Sequence, residues 1–194
     1  MSPLVTQAAA ATKTPILGGP RTTLPAVDAW ARSRITAAGR PVPAHLGAAL
    51  AALWSAAIQH GITPEMMIAQ CCKETAFLTY LRSDGTPSAA LKATYYNTCG
   101  LKPRDGAAAD QPHAQFASWH MGARAHAQHL CGYLGIAIPN TEIVDPRYVW
   151  LEPGTTAFGT VINVEDLGGK WAPDTGYGTS IVRDYLATIP GWTA

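Results

Sequence analysis

The stretch from residue 63 to 76 constrains this chain more than any other. It reads Thr63-Pro64-Glu65-Met66-Met67-Ile68-Ala69-Gln70-Cys71-Cys72-Lys73-Glu74-Thr75-Ala76. Thr63 suits an N-cap, Pro64 suits the first helical position, and Glu65 complements the positive end of the helix dipole. The helix that follows is apolar nearly all round, which marks a helix buried at the centre of a domain rather than lying on its surface. A chain with such a segment must wrap its other elements around it.

The remaining pattern supplies those elements. Residues 24–38 predict a helix stopped by Gly39, with Pro41 and Pro43 punctuating the connection. Residues 44–59 predict a second, closed by Gly61. A helix resumes at Ser118 and ends at Gly135. Trp119, Ala123, Ala127, Leu130 and Leu134 form its apolar stripe, and His120, Arg124 and Gln128 lie on the opposite side. Residues 155–167 predict a short helix stopped by Gly168-Gly169. A last helix starts near Asp174 or Thr175, with Tyr177, Ile181, Val182, Tyr185 and Leu186 facing inward. Between residues 83 and 116 no helical period survives. Asp84-Gly85, Pro87, Gly100, Pro103, Asp105-Gly106 and Pro112 predict loops with a short two- or three-stranded lobe. Residues 1–20 read as a flexible tail and 21–194 as one domain, mainly α with a small irregular or β lobe.

Composition narrows the function classes. The chain has 194 residues, 47% hydrophobic, enough for one sizeable core. A formal net charge of +1 argues against a polybasic nucleic-acid binder and a binder of anionic membranes. Residues 46–58 form the longest apolar window, too short to span a bilayer, and no basic region precedes the N-terminal alanines as a secretory signal would require. Cys71, Cys72, Cys99 and Cys131 do not follow a CxxC spacing. Buried free thiols are the expectation, with one long-range disulfide as the alternative.

Glu74 is the candidate for chemistry. It sits near the C-terminal end of the most apolar helix, where burial and the negative end of the helix dipole both disfavour its charged form. A raised pKa is what a general acid working near neutral pH requires. The structural alternative is a pair with Lys73 or Arg82, or a carboxylate pointing into water. His126 and His129 stand three apart on one helix near Cys131. They do not converge with His120, and no HExxH accompanies them, so no metal and no cofactor is expected. A cysteine/histidine metal or redox protein is the weaker alternative.

Three segments in order carry a resemblance. Glu74-Thr75-Ala76-Phe77 ends the apolar helix. Tyr96-Asn97-Thr98-Cys99-Gly100-Leu101-Lys102 follows. Gly169-Lys170-Trp171-Ala172-Pro173-Asp174-Thr175-Gly176-Tyr177-Gly178 closes the region. In this order and spacing, over residues 62–187, the chain resembles the glucosaminidase family of peptidoglycan hydrolases, within the lysozyme-like superfamily.

The resemblance implies an α+β lysozyme-like fold in which a central buried helix bears the catalytic glutamate and a helical lobe and a small lobe flank a substrate groove. It implies an endo-β-N-acetylglucosaminidase that cuts the glycan strand of bacterial cell wall after N-acetylglucosamine. By the same resemblance Glu74 is the general acid and Tyr177 the tyrosine beside it. Tyr96, Asn97, Gly100 and Lys102 line or support the cleft, and Trp171 is a wall residue. Family members supply a second glutamate from the small lobe. Here no Glu occurs between Glu74 and Glu142. Asp84, Asp105 and Asp110 are the candidates for the second carboxylate. The alternative is attack by the sugar's own N-acetyl oxygen, stabilised by Tyr177. A lytic transglycosylase on the same substrate is a close variant, and a non-catalytic wall-binding or phage structural module is the reading from another class. The partner expected is the peptidoglycan strand, with no nucleic acid and no membrane insertion, bound by a monomer. The setting expected is a phage lysin, or a module of a larger autolysin or tail protein, made in the cytoplasm and acting on the wall after release.

Overall fold

A computed structural model describes residues 13–104 and 111–193. The architecture is mainly helical, with five α-helices among the described residues: α1 (Leu24–Ala37), α2 (Leu46–Gln59), α3 (Pro64–Thr75), α4 (Trp119–Leu134) and α5 (Tyr177–Asp184). Ten of the twelve α3 residues are buried, so α3 is the axis of the molecule, as its all-round apolar sequence requires. It packs against α2 and α5, and α4 packs on α2 and reaches α3 through His126 and Gln70. Among the described residues no helix is long and apolar enough to cross a membrane.

Local chemistry sets the helix ends. Thr23 caps α1 by accepting from the Ala26 amide, and Ser118 caps α4 by accepting from the Met121 amide. Gly135 closes α4 in the left-handed conformation. Thr63 takes the extended backbone of an N-cap before α3, but its side chain makes no capping bond. Its hydroxyl is instead buried without a partner.

Three expectations are corrected. First, the N-terminal tail is not free over its described part. Ile16 is fully buried. The segment around it forms isolated antiparallel bridges, Pro15 with Asn163 and Leu17 with Ile62. Glu65, at the start of α3, accepts the Arg21 and Thr22 amides at 2.8 and 2.6 Å. A single apolar side chain between prolines and glycines has no period to reveal it, but Ile16 fits a slot between two loops while Leu17 stays exposed. Second, residues 155–167 do not form one helix. Gly159 turns the chain at φ +70°, and Asn163 then opens a separate short 3-10 turn, Val164–Leu167, with a reciprocal capping box to Asp166. Third, the 83–116 region forms no strand among the described residues: it holds a 3-10 turn at Ala93–Tyr95, the isolated bridge Leu81 with Pro87, and single backbone bonds such as the Ala114 amide to the Leu101 carbonyl at 2.8 Å. Pro87, Pro103 and Pro112 withhold the amides that a ladder would need.

Two glycines allow the close approaches that position the site. A Cβ on Gly122 of α4 would lie 1.7 Å from the Tyr96 carbonyl oxygen, so only glycine lets the 95–101 loop lie directly on α4. A Cβ on Gly178 would lie 1.9 Å from the Val164 carbonyl, which lets the start of α5 pack on the 164–167 turn.

Candidate active site

Glu74 occupies the last turn of α3 and is partly buried. Beyond it the backbone makes an unusual turn: Ala76, Phe77 and Leu78 all have positive φ, at 51°, 62° and 59°. Left-handed geometry costs about 1–2 kcal/mol per non-glycine residue. Thr75 holds the turn, donating from its hydroxyl to the Cys71 carbonyl at 2.6 Å and accepting the Leu78 amide at 2.9 Å. Tyr80, at φ 54°, and Tyr96, at φ 51°, share this geometry.

Two groups hydrogen-bond the carboxylate. The Tyr177 hydroxyl donates to Glu74 Oε1. Trp171 Nε1 donates to the same oxygen at 3.2 Å. Burial raises the Glu74 pKa above the ordinary carboxylate value, and these two donors and the nearby Lys73 ammonium oppose but do not cancel that rise. Lys73 also sits 5.3 Å from the centre of the Tyr177 ring. The Tyr177 hydroxyl is driven strongly upward by burial and by the adjacent carboxylate. It therefore stays protonated and serves as a donor.

Behind Tyr177 runs a buried polar chain. Gln70 Nε2 donates to the Tyr177 oxygen at 3.1 Å, and Gln70 Oε1 lies 3.0 Å from His126 Nε2. Thr98 Oγ1 lies 3.1 Å from His126 Nδ1. Proton counting fixes one polarity. An amide oxygen only accepts, so His126 carries its proton on Nε2 and accepts from Thr98 at Nδ1. Gln70 then donates to Tyr177, whose single hydroxyl proton is left for Glu74. Burial pushes the His126 pKa down to about 3, so the ring is neutral, as this arrangement requires. Gln70 and His126 were missed as site residues. Gln70 stands one helical turn before Glu74, which was the available signal, but its partner on α4 is 56 positions away.

Glu74 forms part of the wall of two clefts. One, of about 410 Å³, is lined by Gly100, Leu101, Lys102, Trp150 and Trp171, with His129, Tyr133, Arg147 and Lys170. The other, of about 250 Å³, is lined by Lys73, Tyr80, Arg82, Ser88 and Leu91. Among the described residues, every formally charged side chain on both walls except Glu74 is basic. Gly100 adopts φ +71° beside the carboxylate, and a Cβ there would lie 3.9 Å from Glu74 Oε2.

An acid–imidazole pair borders the larger cleft. His129 Nδ1 lies 2.8 Å from Asp145 Oδ2, with the Asp145 side chain fully buried and that of His129 14% exposed. Asp145 also accepts the Arg147 amide at 2.8 Å. Gln128 pins this loop to α4 by accepting the Val144 and Asp145 amides at 2.8 and 3.1 Å. Gln128 is therefore buried rather than on the polar face that helical periodicity gives it. The His129 ring meets Trp171 edge-on, with ring centres 4.9 Å apart.

The expected site residues separate into those on the walls and those behind them. Glu74, Gly100, Lys102 and Trp171 stand together at the larger cleft, and Tyr177 reaches Glu74 from α5. Asn97 is fully buried and does not reach a cleft. It organises the loop, donating to the Leu101 and Ala114 carbonyls at 2.9 Å each and accepting the Leu101 amide at 3.1 Å. Tyr96 is directed away, its ring edge-on to Trp119 at 5.1 Å. Of lining and supporting the cleft, the alternatives expected for this segment, neither residue is on a wall. Asp84 borders neither cleft. It is exposed and tied up by the Thr86 amide and hydroxyl at 2.9 and 2.6 Å, an ordinary Asx turn. Asp105 and Asp110 lie outside the described residues. Cys71, Cys72, Cys99 and Cys131 are all buried free thiols. Among the described residues, no group of three His, Cys, Asp or Glu side chains is arranged to hold a metal ion.

No protein-family model, curated protein or solved structure matches this chain. The class of protein is therefore argued from the site itself.

Proposed function

We propose that this chain is a peptidoglycan hydrolase with a lysozyme-like arrangement, cleaving the β-1,4 glycosidic bond after N-acetylglucosamine with Glu74 as general acid. The observation that carries the reading is the state of Glu74. A carboxyl with a raised pKa, held by Tyr177 and Trp171, faces two open clefts rather than a salt bridge. The resemblance of three sequence segments, in order, to the glucosaminidases supports the same assignment.

The chemistry follows from the geometry. Protonated Glu74 donates to the leaving glycosidic oxygen as positive charge develops at the anomeric carbon. Tyr177 and Trp171 then stabilise the carboxylate left behind, since both already donate to Oε1. The walls favour the substrate class. Trp150, Trp171 and Tyr133 offer faces and edges to pyranose rings, and Lys102 and Lys170 suit the carboxylates that wall glycans carry on their peptide substituents.

The test is clearing of a purified cell-wall suspension by the wild type and by Glu74→Gln, with mass spectrometry of the new chain ends. The reading expects clearing with reducing N-acetylglucosamine ends, lost in Glu74→Gln while the fold is kept. An anhydro-sugar end would convert it to a transglycosylase. Undiminished clearing by Glu74→Gln would remove it.

A further inference from the structure

We propose that His129, oriented by Asp145, is the second catalytic group of this site and the base that activates the attacking water. The inference rests on the assignment of Glu74 as general acid, and it concerns the half of the reaction that no carboxylate among the described residues of the small lobe serves. The described candidate there, Asp84, is committed to Thr86 and borders neither cleft.

The His129–Asp145 pair has what a base requires. Its Nδ1 side is fixed by a buried carboxylate at 2.8 Å, which places that proton on Nδ1 and leaves the Nε2 lone pair free to accept another. Among the described residues Nε2 has no hydrogen-bond partner, and it is not among the buried unpartnered atoms, so it is open at the cleft that His129 lines. The buried loop bonds of Gln128 and the Arg147 amide keep Asp145 in place. No comparable scaffold is needed for a histidine that merely fills surface.

Trp171 touches both groups. It donates to Glu74 at 3.2 Å and meets the His129 ring with centres 4.9 Å apart. The carboxyl and the imidazole line the same open cleft, as an inverting acid and base must if a water is to reach the sugar between them. In the step, the water oxygen bonds to the anomeric carbon as the glycosidic carbon–oxygen bond breaks. The water proton passes to His129 Nε2, and the Glu74 proton passes to the departing sugar oxygen. Loss of the proton from His129 to solvent and its recovery by Glu74 reset the site. The outcome is inversion, with a β-linked substrate giving an α-anomer first.

The experiment follows a soluble peptidoglycan tetrasaccharide by proton NMR and by steady-state kinetics, using wild type, His129→Ala, Asp145→Asn and Glu74→Gln. The expected results are a first-formed α-anomer in the wild type and a kcat lowered about 100- to 1000-fold in His129→Ala with KM little changed. Exogenous imidazole should restore part of the His129→Ala rate and none of the Glu74→Gln rate. Asp145→Asn should lower kcat without imidazole rescue, because the ring remains but its proton is on the wrong nitrogen. A first-formed β-anomer, or a His129→Ala enzyme with wild-type kcat, overturns the proposal. If His129→Ala fails to fold, the wild-type anomer and Asp145→Asn still decide it. A Glu74→Gln enzyme that stays active refutes the general-acid reading instead, so the two failures are separable.

Discussion

Acid should destabilise this protein chiefly through His126, and the size of the effect follows from its burial. The ring is fully buried between Gln70 and Thr98, and its pKa is pushed down to about 3 by burial, with a smaller contribution from His129. In the unfolded chain a histidine titrates near 6.5. Below that pH the unfolded state takes up a proton that the folded state refuses, so stability is present in full above about pH 6.5 and is lost as pH falls toward 3. Over the two units from pH 6.5 to 4.5 the loss is roughly 2–3 kcal/mol, a sizeable part of the 5–15 kcal/mol typical of a domain. Glu74 acts with the opposite sign: its folded pKa is raised, so it adds stability as pH falls. Asp166, held down to about 2, loses its contribution only below the ordinary carboxylate range. Comparing two proteins that share these groups cancels both. Urea unfolding of the wild type and His126→Gln at pH 6.5, 5.5 and 4.5 gives the measurement. The wild type should lose roughly 2–3 kcal/mol more than the variant across that range. A gap between the two that is constant with pH would refute the argument that the buried ring resists protonation.

Two further outcomes are expected. Tyr177→Phe removes one of the two donors to Glu74 Oε1, so the carboxyl should hold its proton to higher pH. The alkaline limb of the kcat–pH profile should move upward while kcat falls, and a limb that stays in place would show that Tyr177 does not set the acid. Ile16→Ala removes a fully buried side chain from between the 61–63 and 162–164 loops and should cost about 2–5 kcal/mol in urea unfolding. A loss under about 0.5 kcal/mol, the usual size for a surface change, would mean that this segment is not clamped.

Some of the site was legible before any coordinates. The Thr63-Pro64-Glu65 start and the apolar run after it fix α3, and the position of Glu74 at its end fixes both the burial and the dipole that act on the carboxyl. Gly135 and Ser118 bound α4 for equally local reasons. The stripe on α4 was less complete. Periodicity set Gln128 opposite the apolar face, yet Gln128 is buried because it binds the 144–145 amides. A loop packed on the far side of a helix buries polar residues there, and a single-sequence pattern carries no sign of it.

What the sequence determines by itself is therefore local: where helices start and stop, which face of each is apolar, and that one carboxyl rides on a buried helix. Those follow from backbone propensity and short-range spacing, which act within a few residues. Only the tertiary structure decides that Tyr177 reaches Glu74 across 103 positions, that Gln70 and His126 brace it, and that Asp145 turns His129 toward the same cleft. These pairings arise from the packing of α3, α4 and α5 around a shared core. The physical reason is that hydrogen bonds between distant side chains are selected by the whole fold, and no interval along the chain encodes them.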